Sequence, residues 1–274
     1  MSRILFIDID GTILAHGDQI APSTPAVIRA AREAGHLVFI CTGRADGDIH
    51  PRVREIGFDG AITNGGSLAV VGTEEILAER MPRAAVDHLT TYFDDRSIPY
   101  LLQTDDAVFA SPGVNELREK WAAWVRSQGG AEGPERAALE PLPPITDVDR
   151  DTVAKAVFVS AEQETLPQAQ SDLADSFHVV PGSLPLPGGS SGEIGLPGIT
   201  KGSAITAVLN HLGRSAADAV GIGDSWNDVE MFEVCGVSIA MGNAEPELRT
   251  RADYVTTDVL DDGVANALRW LSLV

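Results

Sequence analysis

Ile4-Leu5-Phe6-Ile7-Asp8-Ile9-Asp10-Gly11-Thr12 stands at the head of the chain, and its reading decides the fold. The apolar run Ile4–Ile7 has the character of a strand buried on both faces of a parallel sheet. The carboxylates that follow then emerge at its C-terminal end, where open α/β sheets build their sites. Residues two apart on a strand point the same way, yet Gly11 ends the strand and lets Asp10 curl back over Asp8. Close carboxylates repel unless a cation or a proton separates them. Two chemical readings follow: a hard-metal site, or a pair in which Asp8 is a nucleophile and Asp10 carries the proton. The two can coexist, and a plain strand end with an Asp-Gly turn also accounts for the dipeptide taken alone.

The pattern around this stretch repeats it. Pro22-Ser23-Thr24-Pro25 announces a helix over 26–34 that Gly35 closes, and the strand 36–41 exits at Thr42-Gly43-Arg44. A strand over 60–63 runs into Asn64-Gly65-Gly66, so three strand ends share one edge. The tail continues with helix 201–212, strand 219–222, the loop Gly223-Asp224-Ser225, helix 226–234, strands 237–240 and 254–256, and helix 262–273. Residues 1–81 and 190–274 together read as a doubly wound, Rossmann-like parallel α/β sheet. Residues 82–189 read as an inserted α+β domain, with helices over 84–95, 113–127 and 166–176 and strands over 100–102, 107–109, 154–160 and 177–180. Its loop over 129–144 is dense in Gly, Pro and Glu. The segment 181–187 and the run Gly188-Gly189-Ser190-Ser191-Gly192 read as the returning hinge or as a loop facing the site. Glu193 either faces a substrate or is one polar position on a short strand.

Composition narrows the function classes. At 274 residues and 44% hydrophobic content the chain can bury a real core. No apolar run is long enough to cross a bilayer and no secretory pattern opens the chain, so a cytoplasmic enzyme is expected. Two cysteines, Cys41 and Cys235, and six scattered histidines support neither a disulfide framework nor a zinc site. The net charge of −20 repels nucleic acid and anionic membranes. It also repels any phosphorylated ligand, so an anion site has to be made locally from a cation, basic side chains and backbone N–H groups. Lysines are rare, at 120, 155 and 201 only.

Asp8 with Asp10, Thr42, Lys201, and Asp224 with Asn227 and Asp228 all fall at element ends of the α/β domain, and together they suit phosphoryl transfer. A carboxylate nucleophile needs a phosphorus held in line and relieved of charge, which Mg²⁺ on oxygen ligands, a threonine hydroxyl and a lysine can supply.

Asp-Ile-Asp-Gly-Thr, Thr-Gly-Arg, the lysine of Gly198-Ile199-Thr200-Lys201-Gly202 and Gly-Asp-Ser-Trp-Asn-Asp resemble, in order, the four motifs of haloacid dehalogenase superfamily phosphatases. An insertion between the second and third motifs resembles the C2 cap class. The form of the fourth motif, followed by Ala240-Met241-Gly242-Asn243-Ala244 and Asp261-Asp262-Gly263-Val264, resembles the Cof-like IIB branch. The resemblance implies Asp8 as nucleophile, Asp10 as acid and base, phosphate contacts from Thr42 and Lys201, and Asn227 as a group that meets the phosphate or orients Lys201; Gly43 and Arg44 of the same turn are expected among the substrate- and phosphate-binding residues. It implies Mg²⁺ held by Asp8, the Asp10 carbonyl and Asp224, with Asp228 a direct ligand or a group behind the ligands. Asp228 also reads as a carboxylate on a helix dipole, and Arg44 as the partner of a nearby carboxylate. The expected partner is a small phosphorylated metabolite, a sugar phosphate or phosphorylated cofactor, with no nucleic acid or membrane, for a monomer or homodimer. A phosphotransferase or sugar-phosphate mutase, or a catalytically silent phosphometabolite-binding protein, would share the same core motifs.

Overall fold

Ile4–Ile7 forms β1, and none of its four residues is exposed. The reason lies in its neighbours. Leu5 and Ile7 pack with Ile28 and Ala31 of the helix Ser23–Glu33 and with Leu268 of the helix Gly263–Trp270. On the opposite face, Ile4 and Phe6 pack with Ile205 and Val208 of the helix Lys201–His211 and with Met231 and Phe232 of the helix Val229–Val234. An apolar run without polar alternation is therefore the signature of a strand sandwiched between two helix layers.

The computed structural model describes residues 2–127, 141–182 and 188–274; most of the expected 129–144 loop and residues 183–187 of the expected hinge lie outside them. The strands that follow β1 are β2 (Leu37–Cys41), β3 (Gly60–Thr63), β4 (Leu68–Val71), β5 (Glu74–Ala78), β6 (Tyr100–Gln103), β7 (Val108–Ala110), β8 (Lys155–Ser160), β9 (His178–Pro181), β10 (Ser190–Gly195), β11 (Ala219–Gly223), β12 (Val237–Ala240) and β13 (Tyr254–Val255). Two compact units result. One holds the residues up to Arg44 with Ile49–Ala78 and Ile199–Val274; the other holds Ala45–Asp48 and Glu79–Gly198.

The first unit contains an eight-stranded sheet in the order β13-β12-β11-β1-β2-β3-β4-β5. β1 pairs in parallel with β2 on one side and with β11 on the other, so the strand order reverses at the end of β1, where doubly wound sheets bind ligands. The sheet is not parallel throughout. β4 and β5 add to β3 as antiparallel strands, a hairpin whose half-buried, polar-tipped sequence carried no strong strand signal.

The second unit is a five-stranded sheet, β7-β6-β8-β10-β9, antiparallel in every pairing. One face packs Leu102, Ala156, Phe158 and Ile194 against Val86, Leu89 and Phe93 of the helix Arg83–Asp95 and against Ala169 and Leu173 of the helix Thr165–Leu173. The Phe93 ring lies 5.1 Å from Tyr100 and 5.7 Å from Phe158. On the opposite face Lys155 and Glu193 form a buried ion pair at 2.5 Å.

The return to the first unit therefore comes after Gly198, whereas composition placed it before residue 190. The glycine-rich run supplies β10, the strand between β8 and β9. A side chain at Gly192 would meet the Phe158 ring at 2.2 Å, so the glycine is there for close packing of a strand and not for a loose hinge. Among the described residues no helix is long and apolar enough to cross a membrane.

Phe158→Ala is expected to destabilise the chain by about 3–5 kcal/mol, because the cavity left beside the Phe93 ring cannot close fully. The shift of the urea midpoint followed by circular dichroism checks it.

Candidate active site

Asp8 is delivered by the last turn of pairing at the β1 end, where its N–H donates to the Ile222 carbonyl of β11 at 2.9 Å. Its carboxylate is buried. Lys201 reaches it from the first residue of a helix started by a capping box: Thr200 accepts from the Ser203 N–H, and the Ser203 hydroxyl accepts from the Thr200 N–H. The Lys201 Nζ donates to Asp8 Oδ1 at 2.7 Å, to Asp228 Oδ1 at 2.6 Å and to Asn227 Oδ1 at 3.0 Å. An ammonium has three protons, and all three are used.

Asp228 is wholly buried and carries more than the lysine. Its Oδ2 accepts from the Asp224 N–H at 2.9 Å and from the Ser225 N–H at 3.1 Å. It thus serves both as the carboxylate of a capping box at the turn Trp226–Asp228 and as the counter-ion of Lys201. Asp224, at the exit of β11, accepts from the Thr12 hydroxyl through Oδ1 at 3.1 Å. A Cβ on Gly11 would lie 2.0 Å from Asp224 Oδ2, and Gly11 has φ +81°, so only glycine lets the loop after β1 come this close. The Gly11 carbonyl accepts from the Asn243 side chain at 2.8 Å, while the Asn243 Oδ1 accepts from the Val259 N–H at 2.9 Å.

At the neighbouring strand end, the Thr42 N–H continues the pairing of β2 with β3 and its hydroxyl accepts from the Arg44 N–H at 3.2 Å. Gly43 lies between these two. The Arg44 guanidinium is placed on Asp10, with Nε donating to Oδ2 at 2.7 Å and Nη2 to Oδ1 at 2.8 Å. The fold thus brings Asp8, Lys201, Asp224, Asn227 and Asp228 into one cluster, and joins Asp10 to Arg44.

Electrostatics show what the cluster lacks. Burial, opposed by Lys201 and assisted by Asp228 and Asp10, pushes Asp8 up to about 7. Burial, with Asp8 and Asp228 beside it, holds Asp224 well above the usual carboxylate range. Burial works against the Lys201 ammonium, but Asp228 and Asp8 outweigh it and hold its pKa well above the ordinary value. One ammonium among carboxylates leaves excess negative charge, which a further cation would neutralise. The oxygens of Asp8, Asp224 and Asp228 lie within 4.8 Å of one another. An all-oxygen set of this size suits a hard divalent ion such as Mg²⁺. With Oδ2 of Asp228 filled by two N–H donors and Oδ1 on Lys201, Asp8 and Asp224 are the members with acceptor capacity to offer it.

Thr12 and Asn243 are positioning groups that motif reading quoted without a role.

A doubly wound sheet with paired aspartates at the switch point, a buried lysine and an acidic loop on the adjoining strand defines a phosphoryl-transfer hydrolase core. The chain belongs to the haloacid dehalogenase-like hydrolase family, whose family model matches residues 5–268. It is 28% identical to the putative phosphatase YkrA of Bacillus subtilis (strain 168), over 100% of this chain and 99% of that protein. It is 29% identical to the 5-amino-6-(5-phospho-D-ribitylamino)uracil phosphatase YwtE of the same organism, over 96% of each. The solved structure of the HAD subclass IIB sugar phosphatase BT4131 superposes with a TM-score of 0.81 at 21% identity, over 100% of both chains. The resemblance to haloacid dehalogenase superfamily phosphatases read from the four motifs is borne out.

Lys201→Ala is expected to cost about 3–5 kcal/mol, since it strands two buried carboxylates without their cation. A lowered urea midpoint checks it; an unchanged midpoint would show that the carboxylates are not held by this charge.

Proposed function

We propose that the chain is a Mg²⁺-dependent phosphatase that hydrolyses a small phosphorylated metabolite, a sugar phosphate or phosphorylated cofactor, through an aspartyl-phosphate on Asp8. The observation that carries this reading is the Lys201 ammonium shared between Asp8 and Asp228 at a strand end where Asp224 also converges. The named phosphatase relatives that span the whole chain support it.

In the first step an Asp8 carboxylate oxygen attacks phosphorus, the ester P–O bond breaks, and Asp10 gives its proton to the departing alkoxide. In the second step Asp10 takes a proton from water as the water oxygen attacks phosphorus. The bond from phosphorus to Asp8 then breaks and inorganic phosphate leaves. Lys201 holds the charge of Asp8 and of the phosphoryl oxygens, and the Thr42 hydroxyl with the N–H groups after it, Gly43 included, donates to the phosphoryl group. Asn227 orients Lys201. Mg²⁺ bound by Asp8, Asp224 and the Asp10 carbonyl supplies the field that offsets the combined charge of phosphate and nucleophile.

Asp8→Asn is expected to reduce release of inorganic phosphate from an aryl phosphate to background, and Asp10→Asn to lower it by about 10²–10⁴-fold for esters with a poor leaving group. Persisting release from Asp8→Asn would sink the assignment. Chelation by EDTA is expected to stop turnover and Mg²⁺ to restore it. Free phosphate appearing without an added acceptor alcohol separates hydrolysis from phosphotransfer, and a panel of phosphorylated metabolites identifies the leaving group.

A further inference from the structure

Of the two readings open for Arg44, phosphate contact and pairing with a carboxylate, the second is the one its guanidinium makes here, and the carboxylate is that of the proposed proton carrier. The backbone of Asp10 is pinned by its bridge to Leu14 and by the Gly11 N–H, which donates to the Leu14 carbonyl at 2.7 Å. The backbone of Arg44 is pinned too: its N–H donates to the Thr42 hydroxyl, and its carbonyl accepts from the Asn64 N–H at 2.7 Å. Between the two fixed backbones the guanidinium spans both oxygens of Asp10, with one nitrogen on each. The two side chains are 23% and 38% exposed, so the significance of the pair lies in its two-point geometry and not in its burial. A two-point fork fixes the plane and direction of a carboxyl group, which a single contact leaves free to turn.

Asp10 is asked to serve two steps from one place, giving a proton to the leaving oxygen and then taking one from water. Both need its carboxyl group aimed at the same point beside Asp8. We infer that Arg44 is a positioning residue that aims the Asp10 carboxyl group, rather than a ligand of the substrate phosphate. The inference rests on the reading of Asp10 as acid and base.

The test compares full-length wild type, Arg44→Ala and Arg44→Lys on two esters. β-Glycerophosphate has an alkoxide leaving group that needs a proton; p-nitrophenyl phosphate leaves without one. For Arg44→Ala, kcat on β-glycerophosphate is expected to fall about 10²-fold with KM within a few-fold of wild type, the size of loss that misaimed reacting groups cause. The burst of p-nitrophenol, which reports the first step alone, is expected to change less than about 3-fold. Arg44→Lys is expected to restore charge but not rate, since an ammonium cannot span both oxygens. Adding Arg44→Ala to Asp10→Asn is expected to cost little more than Asp10→Asn alone, because both act through one group.

A KM rise shared equally by the two esters with kcat intact would overturn the inference in favour of phosphate contact. Full additivity with Asp10→Asn, or rescue by lysine, would overturn it as well. Circular dichroism of both variants confirms folding, and Arg44→Lys carries the comparison if Arg44→Ala does not fold. Absence of phosphate release by the wild type would instead defeat the phosphatase reading, which keeps the two failures apart.

Discussion

The ammonium of Lys201 is the constraint on which the rest of the first unit depends. Taken out of water, it must be matched by anions, and the anions it finds come from segments up to 193 residues away in the chain. The β1 end, the start of the helix Lys201–His211 and the turn Trp226–Asp228 are thereby held to one point. Stability alone is a poor explanation for such a cluster, because well-packed apolar side chains of the same volume generally serve a fold as well or better than buried ions do. The charged set speaks for chemistry. Burial, with Asp228 and Asp10 beside it, pushes Asp8 up to about 7 against the pull of Lys201, and the surplus of carboxylate over ammonium is of the sign that a divalent cation would offset.

The chain as a whole carries a net charge of −20, which repels phosphate esters, so local arrangement has to reverse the field. Arginines do little of this. Arg32 is placed on Asp59, Arg80 on Asp105, Arg150 on Asp87 and Arg214 on Asp218. These are guanidiniums spent on structural carboxylates, and Arg44 on Asp10 follows the same habit in a functional place. Lysine, with a compact charge on a flexible stem, is the residue that reaches into the cluster.

Much of this was legible in the residues. The unbroken apolar run of β1, its paired aspartates, and the polar turns after β2 and β11 indicate a buried parallel sheet with a site at its strand ends, because such patterns have few other physical uses. Lys201 stood out because lysine is rare here and this one starts a helix. What escaped reading was what depends on who sits across the space. The run through Gly192 reads as a hinge unless one knows that the Phe158 ring occupies the place of its side chain. The hairpin of β4 and β5 is only half-buried, so its alternation is weak. The double duty of Asp228 needs the positions of two backbone N–H groups that spacing does not reveal. Arg44 left two readings open because a guanidinium suits a carboxylate and a phosphate equally well.

The saturation of Lys201 has a consequence for how the molecule works. With each of its protons already committed to Asp8, Asn227 or Asp228, the side chain is not a tether that swings out to meet an incoming anion. It is a stationary post, and on the proposed reading an incoming anion conforms to it. In the proposed reaction, the reorganisation that solvent dipoles would otherwise undergo during bond breaking is completed when the chain folds, which is how fixed dipoles accelerate a reaction that the same charges, free in water, would leave slow.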